Sequence, residues 1–460
     1  MHDLLIIGSG SAGVAAAIEA RNQGATVAVI EGATVGGTCV NVGCVPSKTL
    51  LRAAEANYRA KHSSFAGVKT SGSEIDLRAI IGQKDRLVED LREHKYTAVL
   101  ESVGVPLIRG YARFTGKSNL DVDGRAFSAR TFLVATGAAP ALPAIPGLHE
   151  SKPWTYLEAL SPDEQPESLL VVGGGPIGLE LAQAYSRLGT RVTVLEALPQ
   201  ILSGGEEEVS EALRAYLEDE GIEIHTDTRV SRVVRDGAYR VTAGIEGGDR
   251  SFEAERLLVA TGRRPLTEGL GLESAGVRLT AGGAVEVDAH LATANPAVYA
   301  AGDVAGLPQF VYVGAQSGRV AARNALNPTR EQLDLTALPR VTFTDPGVAT
   351  VGLTENEARA GHGEVRVSKL QMDQVPRALA AFDTRGFVKL VTDGDGRILG
   401  LHVLAPEAGD LIQEGILAVK FGLNYRDLID TFHPYLTAVE AVRLAAQALD
   451  TDVKQLSCCA

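Results

Sequence analysis

The sequence predicts an α/β fold in which two parallel βαβ units are followed by a mixed α+β unit. Three features predict it. A glycine-rich turn sits between an apolar run and an Ala-rich helical stretch at the N-terminus. The same plan begins again 165 residues later (Gly8 to Gly173), and such fingerprints stop after residue 337.

In the first copy, Leu4, Leu5, Ile6 and Ile7 form an apolar run suited to a buried parallel strand. Gly8-Ser9-Gly10-Ser11-Ala12-Gly13 follows, then a helical stretch through Ala20, a strand over 26–30, and Glu31. Such glycines permit a tight turn and close backbone approach to a pyrophosphate held at the helix N-terminus, while the terminal carboxylate accepts from a ribose hydroxyl. The second copy runs from a strand over 169–172 through Gly173, Gly175 and Gly178 to Glu196. Both acids stand 18 residues after the last glycine (13 to 31, 178 to 196). One glycine motif alone would be weak evidence. Two Rossmann-like copies in full context leave ordinary glycine turns a poor alternative, and two dinucleotide sites in one chain imply an electron relay. A further echo pairs 132–137, ending in Thr136-Gly137, with 257–262, ending in Gly262. Another short strand ends at Asp303.

A chain of 460 residues suggests about three domains. Its net charge of −13 argues against a nucleic-acid or anionic-membrane partner. The N-terminus has no basic leader, and no uninterrupted apolar stretch of about 18 residues or more occurs, so a cytoplasmic location is expected. Thiols stay reduced there, and the only four cysteines form two close pairs, Cys39/Cys44 and Cys458/Cys459. Such pairs point to redox or metal chemistry before structural stapling. Residues 36–48, GGTCVNVGCVPSK, are the most specific string. Thiols five apart lie on neighbouring helical turns and can be bridged if the helix is distorted. A reactive thiol needs its pKa lowered by a helix N-terminus or a nearby cation. Two inert buried cysteines are the bland alternative, and a poor one for the whole string.

These residues together resemble the pyridine nucleotide–disulfide oxidoreductases, the group of glutathione reductase and dihydrolipoamide dehydrogenase. The resemblance implies FAD on the first fingerprint and NAD(P)H on the second. It assigns cofactor contacts to Gly8, Gly10, Gly13, Glu31, Thr38, Lys48, Ala112, Thr136, Gly137, Gly173, Gly175, Gly178, Glu196, Gly262, Asp303 (on the FAD ribityl chain) and Val311. It makes Cys44 the flavin-proximal thiolate and Cys39 the exchange thiol, with Lys48 near the flavin N5 and paired with Glu180. The implied organisation is an FAD domain over 1–150 and 269–337, an NAD(P)H domain over 151–268, and a dimerisation domain over 338–460 that completes the partner's active site.

Relatives that reduce small organic disulfides carry His-Pro-Thr-x-x-Glu, with histidine five before glutamate. Here His433 and Glu440 are seven apart (433 to 440), and Tyr435-Leu436-Thr437 after a proline is instead similar to the mercuric reductase branch. Cys458 and Cys459 at the C-terminus agree, because two soft thiolates suit a linear, two-coordinate soft ion on a loosely tied segment. An incidental dithiol tail is the alternative. The resemblance implies a homodimer in which Hg(II), delivered by small thiols, binds Cys458 and Cys459 of one subunit. It then passes to Cys39 and Cys44 of the other and is reduced to elemental mercury. Tyr96 and Tyr435 match tyrosines that could position or weakly ligate the ion, although Tyr96 also fits a helix-packing aromatic. Glu440 completes the expected catalytic set, and His433 is expected to be a structural histidine at the interface. Many branch members carry an extra N-terminal metal-binding domain, which is expected to be absent here. Glu196 favours NADH over NADPH by repelling a 2′-phosphate; Arg187 and Arg191 are the nearest cations that could offset it. The competing readings are a dihydrolipoamide dehydrogenase-like disulfide reductase and a non-catalytic mercury-sequestering flavoprotein.

Overall fold

The computed structural model describes residues 2–70, 74–328 and 330–452. At its centre the strand His2–Ile7 is flanked on both sides by parallel partners, Val27–Glu31 and Arg125–Val134. Leu4, Leu5 and Ile6 are fully buried, which explains why the segment is continuously apolar rather than alternating. Leu107–Arg109 and Val298–Ala300 extend the parallel sheet at its two sides. The first half of Arg125–Val134 turns instead into an antiparallel ribbon with Asn119–Val122 and Ala112–Gly116. The glycine turn after Ile7 leads into the helix Ser11–Asn22, and a second helix, Val311–Leu326, packs along it.

The chain leaves this sheet at Val134 and builds a second one before returning at Val298. The second sheet is parallel, in the order Glu223–His225, Arg191–Leu195, Ser168–Val172, Arg256–Val259. Its glycine turn opens the helix Pro176–Leu188, which begins with Pro176 where the missing N–H costs nothing. The residues just after the two echoed segments meet physically: Ala138–Pro140 and Arg263–Pro265 pair as an antiparallel ribbon joining the two nucleotide-binding units.

The remaining unit is a five-stranded antiparallel sheet, ordered Arg340–Thr342, Gly347–Gly352, Ile398–Ala405, Phe387–Asp393, Val365–Gln371, and it carries the helices Ala408–Phe421 and Glu440–Gln447. It is tied to the second nucleotide unit by buried charge as well as apolar packing. Lys389 Nζ lies 2.9 Å from Glu206, 2.9 Å from Glu208 and 2.7 Å from Glu355. Arg187 bridges Glu220 at 2.6 Å and Asp345 at 3.0 Å. Removing one member of such a group strands the others without a partner, so these contacts fix how the units sit together. Among the described residues no helix is long and apolar enough to cross a membrane.

Candidate active site

Both fingerprint acids close their own glycine turns. Glu31 Oε2 accepts from Ser9 N at 2.9 Å and from Ser9 Oγ at 2.6 Å. Glu196 Oε2 accepts from Gly174 N at 2.6 Å, and its other oxygen accepts from Leu198 N at 2.8 Å. A Cβ on Gly13 would overlap the carbonyl oxygen of Gly8, and one on Gly178 that of Gly173, so helix and strand meet at van der Waals contact in both turns. A carboxylate with two such bonds still has lone pairs for a ribose hydroxyl.

The dithiol string lies directly against the first turn. A Cβ on Gly37 would come within 2.7 Å of Gly10 Cα. The amide of Asn41 ties this bend down by donating to Val35 O and Gly37 O, both at 2.8 Å. The helix expected through the string is broken in two, Gly37–Val42 and Cys44–Lys61, with Gly43 between them. A side chain at Gly43 would sit 2.9 Å from Thr38 O and 3.3 Å from Cys39 Cα. Glycine therefore lets Cys44 fold back onto Cys39.

Both cysteines are free thiols, Cys44 exposed and Cys39 partly buried. Cys44 is the first residue of its 18-residue helix. A hydrogen bond from the Cys39 thiol lowers the Cys44 thiol to about 7, burial opposes this, and the Lys48 charge assists. Cys39 is driven far upward for the complementary reason, because it holds the shared proton. The pair is thus one thiol and one thiolate. Tyr96 lies beside it on a π-helical turn, Glu93–Thr97, and is pushed up to about 12 by burial and by the neighbouring cysteines. Tyr312, which no motif singled out, also feels Cys44 and donates to Pro339 O at 2.6 Å.

Lys48, one helical turn beyond Cys44, pairs with Glu180 at 2.6 Å, as expected. Glu180 Oε1 also accepts from Phe343 N at 2.9 Å, and Lys48 Nζ stands 4.4 Å from the centre of the Phe343 ring. Lysine, glutamate and phenylalanine come from three separate parts of the chain; the family resemblance implied the first two, and nothing in the sequence pointed to Phe343. Arg263 is a further site residue not anticipated. Its guanidinium reaches Asp303 Oδ2 at 2.6 Å, Ala138 O at 2.9 Å and Thr38 Oγ1 at 3.3 Å, and its Nε is buried with no hydrogen-bond partner. Burial pushes the Asp303 carboxyl up, and Arg263 counteracts it. A buried donor left over beside Thr38 and Asp303, next to a glycine cradle, fits an anionic, hydroxyl-rich dinucleotide such as FAD.

The other expected contacts fall as follows. Ala112 is buried in the ribbon strand. Thr136 Oγ1 donates to Leu266 O at 2.7 Å, Gly137 and Gly262 take positive φ beside the joining ribbon, and Val311 opens the helix Val311–Leu326. Gly175 precedes the helix that carries Glu180. Tyr435 and Glu440 do not belong to this cluster. Tyr435 sits in a loop of the C-terminal unit beside exposed Phe432 and Leu436, and Glu440 opens the helix Glu440–Gln447, its Oε2 accepting from Leu436 N at 2.8 Å. Cys458 and Cys459 lie outside the described residues.

A family model described as pyridine nucleotide-disulphide oxidoreductase matches residues 2–318, and its dimerisation-domain counterpart matches 338–446. The chain belongs to the pyridine nucleotide–disulphide oxidoreductase family. It is 46% identical to a mercuric reductase of Bacillus cereus, covering 100% of this chain and 73% of that protein. It is also 46% identical to a mercuric reductase of Streptomyces lividans, covering 100% and 98%. Among solved structures it resembles the HOCl-induced flavoprotein disulfide reductase RclA of Escherichia coli, with a TM-score of 0.88, 29% identity, and 97% and 100% of the two chains covered.

Because the Cys44 thiolate forms as pH rises through about 7, alkylation of the reduced protein by iodoacetamide should accelerate with a midpoint near that pH. Cys39→Ala removes the principal donor and should move the midpoint upward. An unchanged midpoint would show that the two sulfurs do not share the proton.

Proposed function

We propose that this family member is an NAD(P)H- and FAD-dependent mercuric reductase, acting as a homodimer in the cytoplasm. The observation that carries this reading is the Cys39/Cys44 pair, on a string packed against the first dinucleotide cradle in a chain whose full-length relatives are mercuric reductases. Overall, NAD(P)H and Hg(II) give NAD(P)⁺, a proton and elemental mercury. FAD, when bound, supplies the two-electron link between the nicotinamide and the metal.

The chain's own residues do the rest. Cys39, the exchange thiol, gives up its proton and attacks Hg(II) carried by small thiols or by Cys458 and Cys459 of the partner. One Hg–S bond forms and one breaks, and the leaving thiolate takes up that proton. The Cys44 thiolate then displaces the second carrier thiolate, leaving the ion two-coordinate between Cys39 and Cys44, the geometry soft thiolates favour. Tyr96 lines this place. Two-electron reduction breaks both Hg–S bonds and returns the dithiolate, since the neutral metal no longer binds thiolates strongly. Lys48, oriented by Glu180 and Phe343, places a fixed positive charge where negative charge accumulates during hydride transfer.

NADH is the preferred reductant. Glu196 is held at the strand end by two backbone donors. Arg187 is unable to serve a 2′-phosphate, because its side chain is 4% exposed and bound to Glu220 and Asp345. Arg191 opens the strand that leads to Glu196, at its opposite end.

Two outcomes are expected. Mixing Cys39→Ala/Cys44→Ala subunits with Cys458→Ala/Cys459→Ala subunits should restore about one working site per heterodimer, and well-formed heterodimers without mercury-dependent turnover would exclude transfer between subunits. A phosphate about 4 Å from Glu196 costs about 1–4 kcal/mol, or roughly five- to several-hundred-fold in kcat/KM. Glu196→Ala should narrow that gap, whereas equal or better kcat/KM with NADPH in the parent would show that Glu196 does not set the choice.

A further inference from the structure

The C-terminal unit contains a buried histidine–glutamate pair that the reaction above leaves unused. The His433 side chain is 3% exposed, although Phe432 beside it is fully exposed and Tyr435 and Leu436 are about half exposed. Its Nδ1 lies 2.9 Å from Thr431 O and its Nε2 lies 2.7 Å from Glu414 Oε1. Both ring nitrogens are thus engaged, one with the Thr431 carbonyl and one with the Glu414 carboxyl group. Glu414 comes from the helix Ala408–Phe421, and its second oxygen is buried with no hydrogen-bond partner. The carboxylate is therefore committed to His433.

The loop has a second anchor beyond Tyr435. Leu436 takes a positive φ of 60° and donates its N–H to Glu440, and Thr437 Oγ1 donates to Pro434 O at 2.7 Å. Tyr435 thus stands between two fixed points, one of them the buried pair. Almost nothing apolar holds this stretch down, since Phe432 and Leu436 face outward. The buried pair does that instead, because separating it would leave buried polar atoms without partners.

We infer that His433 and Glu414 form a post that positions Tyr435 to meet the metal during transfer between subunits, an inference that rests on the mercuric reductase reading. His433 is a positioning residue. With both nitrogens occupied and the ring buried, it is not placed to take a proton from an incoming thiol, which separates it from the histidine of the His-Pro-Thr-x-x-Glu motif.

The test uses the FAD-loaded dimer and mercuric ion presented as its bis-cysteine complex. Metal arrival at the dithiol is followed in a single turnover by loss of the thiolate–flavin charge-transfer band, and flavin reduction by NADH is timed separately. Glu414→Gln, which keeps the shape of the side chain, and His433→Phe should each slow metal arrival about ten- to a hundredfold, the scale of an ångström-sized misplacement. Flavin reduction should keep its parent rate. Because the post acts through Tyr435, His433→Phe/Tyr435→Phe should be no slower than Tyr435→Phe alone. Parent-like metal arrival in both single variants, additive effects in the double variant, or equal slowing of flavin reduction would each overturn the post while leaving mercury reduction by the parent intact. A parent without mercury-dependent turnover would overturn the underlying reading and the post with it.

Discussion

The whole site rests on a break in one helix. Had residues 37–61 continued as a single helix, Cys39 and Cys44 would lie more than a turn apart, and Cys44 would be mid-helix with no donors aimed at it. The interruption at Gly43 does two things at once. It folds Cys44 back onto Cys39, and it makes Cys44 the first residue of a new helix, where the backbone favours negative charge. Because the dithiol bend also touches Gly10, the thiolate stands at the mouth of the first nucleotide cradle.

The helix Pro176–Leu188 joins this local chemistry to the rest of the molecule. Its first turn holds Gly178 against the second glycine turn. Glu180 orients Lys48, Gln183 exchanges hydrogen bonds with the Asp345 backbone, and Arg187 pairs with Glu220 and Asp345. One helix thus carries the nucleotide turn, the partner of Lys48 and the anchor of the C-terminal unit. Phe343 is held in the same way, through its N–H to Glu180. The position of Lys48 is therefore set jointly by all three units of the chain.

Much of this was legible in the sequence because the fingerprints are local. A strand, a glycine turn, a helix and an acid at fixed spacing dictate one geometry wherever they occur, so both cradles, with Glu31 and Glu196, appear where expected. The string around Cys39 and Cys44 likewise encodes its own bend, although the bend proves to be a clean break rather than a distorted turn. Arg263, Phe343, Tyr312 and the His433–Glu414 pair were not readable, because each gains its meaning from contacts across large sequence separations. Arg263 directly follows the echoed segment yet matters through Asp303 and Thr38, and nothing in the spacing of Glu414 and His433 announces their contact. Arg187 shows the converse. It looked available for a phosphate in sequence, and burial in a charge network removes it.

In the proposed mechanism, electron transfer and metal transfer fall to different surfaces, the nucleotide units and Lys48 serving the electrons and the dithiol, Tyr96 and the loop around Tyr435 serving the ion. These are joined only at Cys39 and Cys44, so their joint operation has a fixed stoichiometry. The direct measurement is to supply limiting NADH and mercuric ion under excess thiol, trap the volatile metal and compare amounts. One mercury atom released per nicotinamide oxidised is the expected result, with both processes lost in Cys39→Ala/Cys44→Ala. Nicotinamide oxidation that proceeds without trapped mercury, or is indifferent to the ion, would contradict the account.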